Sequence, residues 1–151
     1  MSKGVVGSIL GVAVVALALL VSGCGGSDDE PEALSKAQFV KQASAICQEG
    51  EKERGKLVEE FGQKAAGKKI TVEDQEELVL AALPTYEKTT TGLSELGAPE
   101  KDEEKVAAII EAREEAVENV ESNPGTAVVG SIPFKKANDL AKDYGLTACT
   151  V

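Results

Sequence analysis

The side chains that most often do chemistry are few in this chain. Three cysteines stand at Cys24, Cys47 and Cys149, and there is no histidine. Without histidine the chain lacks the commonest general base and the commonest metal ligand. No two cysteines have the C-x-x-C spacing of a redox or zinc pair. The carboxylates offer little more. Asp28-Asp29-Glu30 is too short for a calcium loop, which needs ligands at alternating positions and a turn glycine. Glu111, Glu114, Glu115, Glu118 and Glu121 are spaced to lie on solvated faces of one helix. Di-iron bundles combine such glutamates with Glu-x-x-His pairs, which this composition forbids. No glycine-rich phosphate loop opens a helix after a strand, and no serine stands in a nucleophile setting. A carboxylate pair for glycoside hydrolysis stays open to composition. Only 3% of residues are aromatic, however, so few rings remain to stack on a sugar. The reading assigns no catalytic residue, no metal ligand and no cofactor; the chain is not read as an enzyme.

Charge narrows the partners. The 151 residues carry 16 basic and 26 acidic side chains, a net charge of −10. Lys3 is the one basic residue of the apolar leader, so the rest holds 15 basic against 26 acidic residues. Such a body is repelled by nucleic acid, which is excluded as a partner.

The chain begins with Met1-Ser2-Lys3, a minimal positive start, and then an uncharged run from Gly4 to Val21. That run is long enough to span a bilayer, so a retained membrane helix is one reading. Val21-Ser22-Gly23-Cys24 favours another. It resembles the lipobox of bacterial lipoproteins, in which the leader is cut before a cysteine that carries diacylglycerol. Residues 1–23 then form a signal peptide and Cys24 becomes the lipidated first residue. Residues 24–33, rich in glycine and acid, form a flexible tether. The domain follows at 34–151. Two acyl chains anchor a protein stably where one does not. The resemblance therefore implies an extracytoplasmic domain held on the cell membrane by its anchor.

If the lipid consumes Cys24, two cysteines remain, and one intramolecular pairing exists: Cys47 with Cys149. An extracytoplasmic compartment permits it. Closing a loop of about a hundred residues is worth roughly 4–5 kcal/mol on the chain-entropy argument. A redox pair or a metal site is the rival use of these two thiols.

The elements that must position these residues are helices. Ser35-Lys36-Ala37-Gln38 reads as a capping box. Behind it Phe39, Ala43, Ile46, Cys47, Gly50, Leu57, Val58 and Phe61 recur at helical spacing, which turns Cys47 inward. Gly50, Gly55 and Gly62 each weaken this helix by about 1 kcal/mol relative to alanine. They mark either local fraying and bending, the reading preferred on sequence, or a close approach by another helix. The helix should end between Gly62 and Gly67. A second helix starts at Thr71, with Glu73 and Asp74 on its first turn, and runs to about Leu96. Pro84 interrupts it, giving one kinked helix or two that meet there; a single kinked helix is preferred. A third starts near Pro99 and ends at Asn123-Pro124-Gly125. Its stripe of Val106, Ile109, Ile110, Val117 and Val120 is broken by Arg113. Arg113 can pair with a buried carboxylate, snorkel at the edge of the stripe, or bind a ligand. After a mixed segment at 126–130, Ser131 caps a short fourth helix with Pro133 in its first turn. Phe134, Ala137, Leu140, Ala141 and Tyr144 are its apolar side, and Gly145 ends it. No stretch alternates long enough to build a sheet. The expected fold is all-α: a small antiparallel bundle of about four helices with a disulfide from the first helix to the C-terminal tail.

Three stretches give the chain a wider likeness: FVKQASAIC at Phe39–Cys47, LPTY at Leu83–Tyr86 leading to LGAP at Leu96–Pro99, and ANDLAKDYGLTAC at Ala137–Cys149. With the leader, they resemble the small helical lipoproteins of high-GC Gram-positive bacteria. The first and last stretches each end in a cysteine, which supports the bridge. The resemblance implies the fold and the anchor, and carries over no catalytic or binding residue.

Two functions fit these expectations. One is a tethered interaction or structural module that presents an apolar patch, around Phe61, Tyr86 or Tyr144, to an envelope protein. The other is a small-ligand-binding lipoprotein with a pocket near the Pro84 kink and a polar anchor such as Arg113. They differ in whether the apolar stripes fill the interior of the bundle or leave a hole.

Overall fold

The structure, a computed structural model, describes residues 34–128, 130 and 132–151, which lie in one compact unit, Pro31–Val151. The signal peptide, the lipidation of Cys24, the tether and the cap expected at Ser131 lie outside the described residues. The described residues are helical. Five α-helices follow in order: α1 (Lys36–Lys64), α2 (Val72–Glu95), α3 (Glu103–Ser122), the single turn α4 (Gly125–Val128) and α5 (Lys135–Tyr144). Two 3₁₀ turns, Ile132–Phe134 and Thr147–Cys149, flank α5. No helix among the described residues is long and apolar enough to cross a membrane.

Local chemistry sets the starts of the two long helices. The Ser35 Oγ accepts from the Gln38 amide at 3.4 Å, and Gln38 Oε1 accepts from the Ser35 amide at 2.9 Å. Thr71 and Asp74 repeat the arrangement on α2 at 3.2 and 2.8 Å. Each pair satisfies two backbone donors that the first turn leaves free. Pro84 stands inside a continuous α2. It is exposed, as is Leu80 one turn earlier, so the Leu80 carbonyl that Pro84 cannot serve lies on the solvent side.

The third and fourth helices start later than their sequence suggests. Pro99 opens a turn, closed by the Asp102 amide on the Pro99 carbonyl at 2.8 Å, and α3 begins at Glu103. Asp102 caps nothing with its side chain. Its carboxylate instead accepts from Tyr144 Oη at 3.1 Å and from Lys105 Nζ at 3.0 Å. The segment read as mixed, 126–130, shares most of its length with the single turn α4, Gly125–Val128. Ile132-Pro133-Phe134 forms a 3₁₀ turn, so the α-helix begins only at Lys135. At the other end of α5 the αL residue Gly145 (φ +102°) closes the helix. The Leu146 amide returns to the Ala141 carbonyl at 2.7 Å, and Leu146 is buried.

Two apolar clusters hold the bundle. One joins Phe39, Ala43, Leu93, Val106, Ile109, Ala141, Tyr144 and Leu146 around the disulfide Cys47–Cys149, whose Cα atoms are 5.0 Å apart. Tyr144, expected near an exposed patch, is 5% exposed and packs edge-on against Phe39 at 6.0 Å between ring centres. Its hydroxyl satisfies Asp102, which lets the ring turn inward. The other cluster joins Leu83, Ala116, Val117, Val120 and Phe134. The unit thus carries both clusters and both halves of the bridge, which is what independent folding requires.

The three glycines of α1 divide. Gly50 is buried, and a Cβ there would lie 2.4 Å from Thr89 Oγ1 of α2. It is a close approach between helices, against the preferred reading of fraying or bending. A Cβ on Gly55 or Gly62 would meet nothing within 4 Å.

Candidate functional site

A cleft between the distal half of α1 and the middle of α2 is lined mainly by apolar side chains. It has a volume of about 410 Å³ and is floored by Phe134, Val120 and the last residue, Val151. Leu57 and Val58 of α1 face Val79, Leu83 and Tyr86 of α2 across it. The recess is a surface cleft open to solvent beside Leu83 of α2, and Pro84 is not among the residues that line it. Val151 is held there by Asn138, whose Nδ2 donates to the Val151 carbonyl at 2.8 Å and whose Oδ1 accepts from the Val151 amide at 3.0 Å. Phe134 and Tyr86 stack with ring centres 4.8 Å apart.

The polar end of the cleft is made by arginine. The Arg54 guanidinium lies over the Tyr86 ring, 4.3 Å from its centre. Nη1 of Arg54 is closed off from solvent and has no hydrogen-bond partner among the described residues. It reaches back along α1 to Gly50, whose missing side chain leaves it room. Behind it, Arg113 is 2% exposed. Among the described residues it pairs with no carboxylate, and being buried it does not snorkel. Its Nε donates to Thr90 Oγ1 at 3.1 Å and its Nη1 to the Cys149 carbonyl at 2.9 Å. Burial, and then the neighbouring Arg54 charge, push its pKa down to about 10, while Tyr86 works in the opposite direction. Arg113 therefore ties the disulfide-bearing tail to α2 and does not line the cleft. Arg54 does.

Sequence reading missed Arg54, although a signal existed. Position 54 continues the buried stripe of Ala43, Cys47 and Gly50, whereas its neighbours Glu51, Lys52 and Lys56 suggest a solvated face. The glutamates of α3 at 111, 114, 115, 118 and 121 are all exposed. No three of His, Cys, Asp or Glu gather as a metal-binding group among the described residues. The charged groups on the cleft wall are Arg54 and, at the exposed mouth, Glu51.

Of the residues expected to form a surface patch, Tyr86 and Phe61 are half-buried. Phe61 lines a second, smaller recess of about 290 Å³ between the end of α1 and the start of α2, with Lys64, Lys68 and Lys69 on its wall. The large apolar side chains that do face solvent are Val58, Ile70, Val72, Leu80 and Ile132. No family model, curated protein or solved structure matches this chain.

Proposed function

We propose that this protein is a lipid-anchored, extracytoplasmic binding module that takes a small amphipathic molecule into the cleft beside Tyr86. The carrying observation is the cleft itself. Its volume falls in the range of small-molecule sites, its walls are mostly apolar, and two charged groups line it, the half-buried Arg54 and the exposed Glu51. At roughly 30 Å³ per heavy atom, the share of one liquid water, it has room for about a dozen atoms. Among the described residues that line it none is a nucleophile beside a base, and the reading offered is binding without turnover. The lipobox-like Val21–Cys24 supports the anchor, and the Cys47–Cys149 bridge fits an oxidising compartment.

Two measurements test this. Intact-mass analysis of protein from native membranes should show a diacylated Cys24 as the first residue; an unmodified Cys24 behind a retained leader refutes the anchor. Titration of residues 31–151 with decan-1-ol should give saturable NMR shifts at the methyls of Val79, Leu83 and Val151. Shifts that never saturate, or fall elsewhere, refute the site. The exposed Val58, Ile70, Val72, Leu80 and Ile132 favour a second reading, docking to an envelope protein. Photocrosslinkers at positions 58 and 132 in cells should then converge on one partner.

A further inference from the structure

Resting on that reading of the cleft, we infer that its ligand carries an anionic headgroup and that Arg54 is the residue that takes it. Arg54 lines a mostly apolar recess whose other charged residue is the exposed Glu51, and Arg113 lies buried behind it. The four ion pairs among the described residues are Lys88–Glu53, Lys105–Asp102, Lys135–Asp139 and Lys136–Glu115, and neither arginine takes part in any. This is unusual for a chain with ten more acids than bases, in which carboxylates are the commonest side chains available. Glu51 shares the wall but stays outside ion-pair distance of Arg54.

Arg113 is a buried cation without a counter-ion, and the half-buried Arg54 has one donor closed off without an acceptor; each carries a cost. Arg113 lowers its own cost with two hydrogen bonds to neutral oxygens. Arg54 has an aromatic face beneath it, but its Nη1 goes unanswered. The long side chain is held by stacking rather than by a fixed hydrogen-bonded geometry, so the fork can turn from Gly50 toward the cleft. An anion arriving there would give Nη1 an acceptor and would lie in the field of both guanidiniums. The apolar walls then fit the tail of the same molecule. The chemistry is that of an acyl chain ending in a carboxylate or a comparable acid. A neutral hydroxyl can accept from Nη1 but brings no charge to meet the two guanidiniums, and a cation is repelled by them.

Three single-chain probes of equal length decide this: decanoate, decan-1-ol and decyltrimethylammonium, each titrated below its micelle concentration into residues 31–151 at neutral pH. Decanoate should bind at least tenfold more tightly than decan-1-ol, and the cation most weakly. Arg54→Gln should bring decanoate binding down to the level of decan-1-ol binding in the same variant, with an amide NMR spectrum and urea midpoint close to the parent's showing the fold intact. Arg54→Lys should keep part of the preference, because the charge remains without the fork. Equal binding of decanoate and decan-1-ol overturns the headgroup assignment while the cleft reading stands. Binding of none of the three overturns both. Preference for decanoate that survives Arg54→Gln removes Arg54 from the role.

Discussion

Gly50→Ala puts a single methyl group where two helices meet, and its sign tests the packing directly. In an isolated helix alanine is favoured over glycine by about 1 kcal/mol. In this fold the new Cβ would lie 2.4 Å from Thr89 Oγ1 and 3.6 Å from Thr89 Cβ. Thr89 cannot easily yield. It is buried, β-branched on a helix, and its hydroxyl donates to the Thr85 carbonyl at 2.7 Å. Overpacking of this kind costs about 1–3 kcal/mol, and the same methyl crowds Arg54 Nη1 at 3.3 Å. With a clash near the upper end of that range the propensity gain is outweighed, and the variant should lose up to about 2 kcal/mol net. Gly55→Ala, on the same helix with nothing within 4 Å, should gain about 0.5–1 kcal/mol. Equilibrium urea unfolding with the disulfide intact reads both. With slopes of roughly 1–3 kcal/mol per molar, Gly50→Ala should lower the midpoint by about 0.5–1 M and Gly55→Ala should raise it. Thr89→Ala removes the obstructing oxygen, so the double variant Gly50→Ala with Thr89→Ala should recover about 1–2 kcal/mol beyond additivity. If Gly50→Ala stabilises the protein as Gly55→Ala does, or the two changes at 50 and 89 simply add, the close approach assigned to Gly50 is wrong.

Breaking the Cys47–Cys149 bridge frees a segment of 102 residues, and Cys149→Ser should lower the unfolding free energy by up to about 4–5 kcal/mol, measured by the same urea titration. Tyr144 has its pKa pushed up to about 12, first by burial and then by its bond to the Asp102 carboxylate. Its folded pKa lies above the ordinary 10, so its contribution is full below pH 10 and is lost as pH rises through 12. That loss is roughly 2–3 kcal/mol, and Tyr144→Phe should flatten this alkaline limb in thermal melts relative to the parent. Asn138→Ala should cost about 1–2 kcal/mol and accelerate hydrogen exchange at the Val151 amide, because both bonds that hold the last residue against the cleft disappear. Unchanged exchange there would show that Val151 is held by something else.

What could be read from sequence was what neighbours within about four residues decide. Ser35 with Gln38, and Thr71 with Asp74, announce helix starts because their hydrogen bonds close within one turn. Gly145 announces an end because the αL conformation is a local demand. The inward orientation of Cys47 and the all-helical class follow from a period of 3.6 residues, itself a local geometry. Tertiary structure decided whatever depends on a partner far along the chain. Gly50 and Gly55 have the same intrinsic propensity, and only the position of Thr89 makes one a contact and leaves the other free. A helix start near Pro99 would put Asp102 in an acidic first turn, yet its carboxylate accepts from Tyr144, forty-two residues later, and α3 begins only at Glu103. Arg113 was visible as a break in a stripe, but its acceptors, Thr90 and the Cys149 carbonyl, exist only once α2, α3 and the tail have met. Arg54 sits among charged neighbours that point outward. Only the Tyr86 ring and the gap over Gly50 draw it under cover, because a guanidinium is buried by what packs on it and not by the residues beside it in the chain.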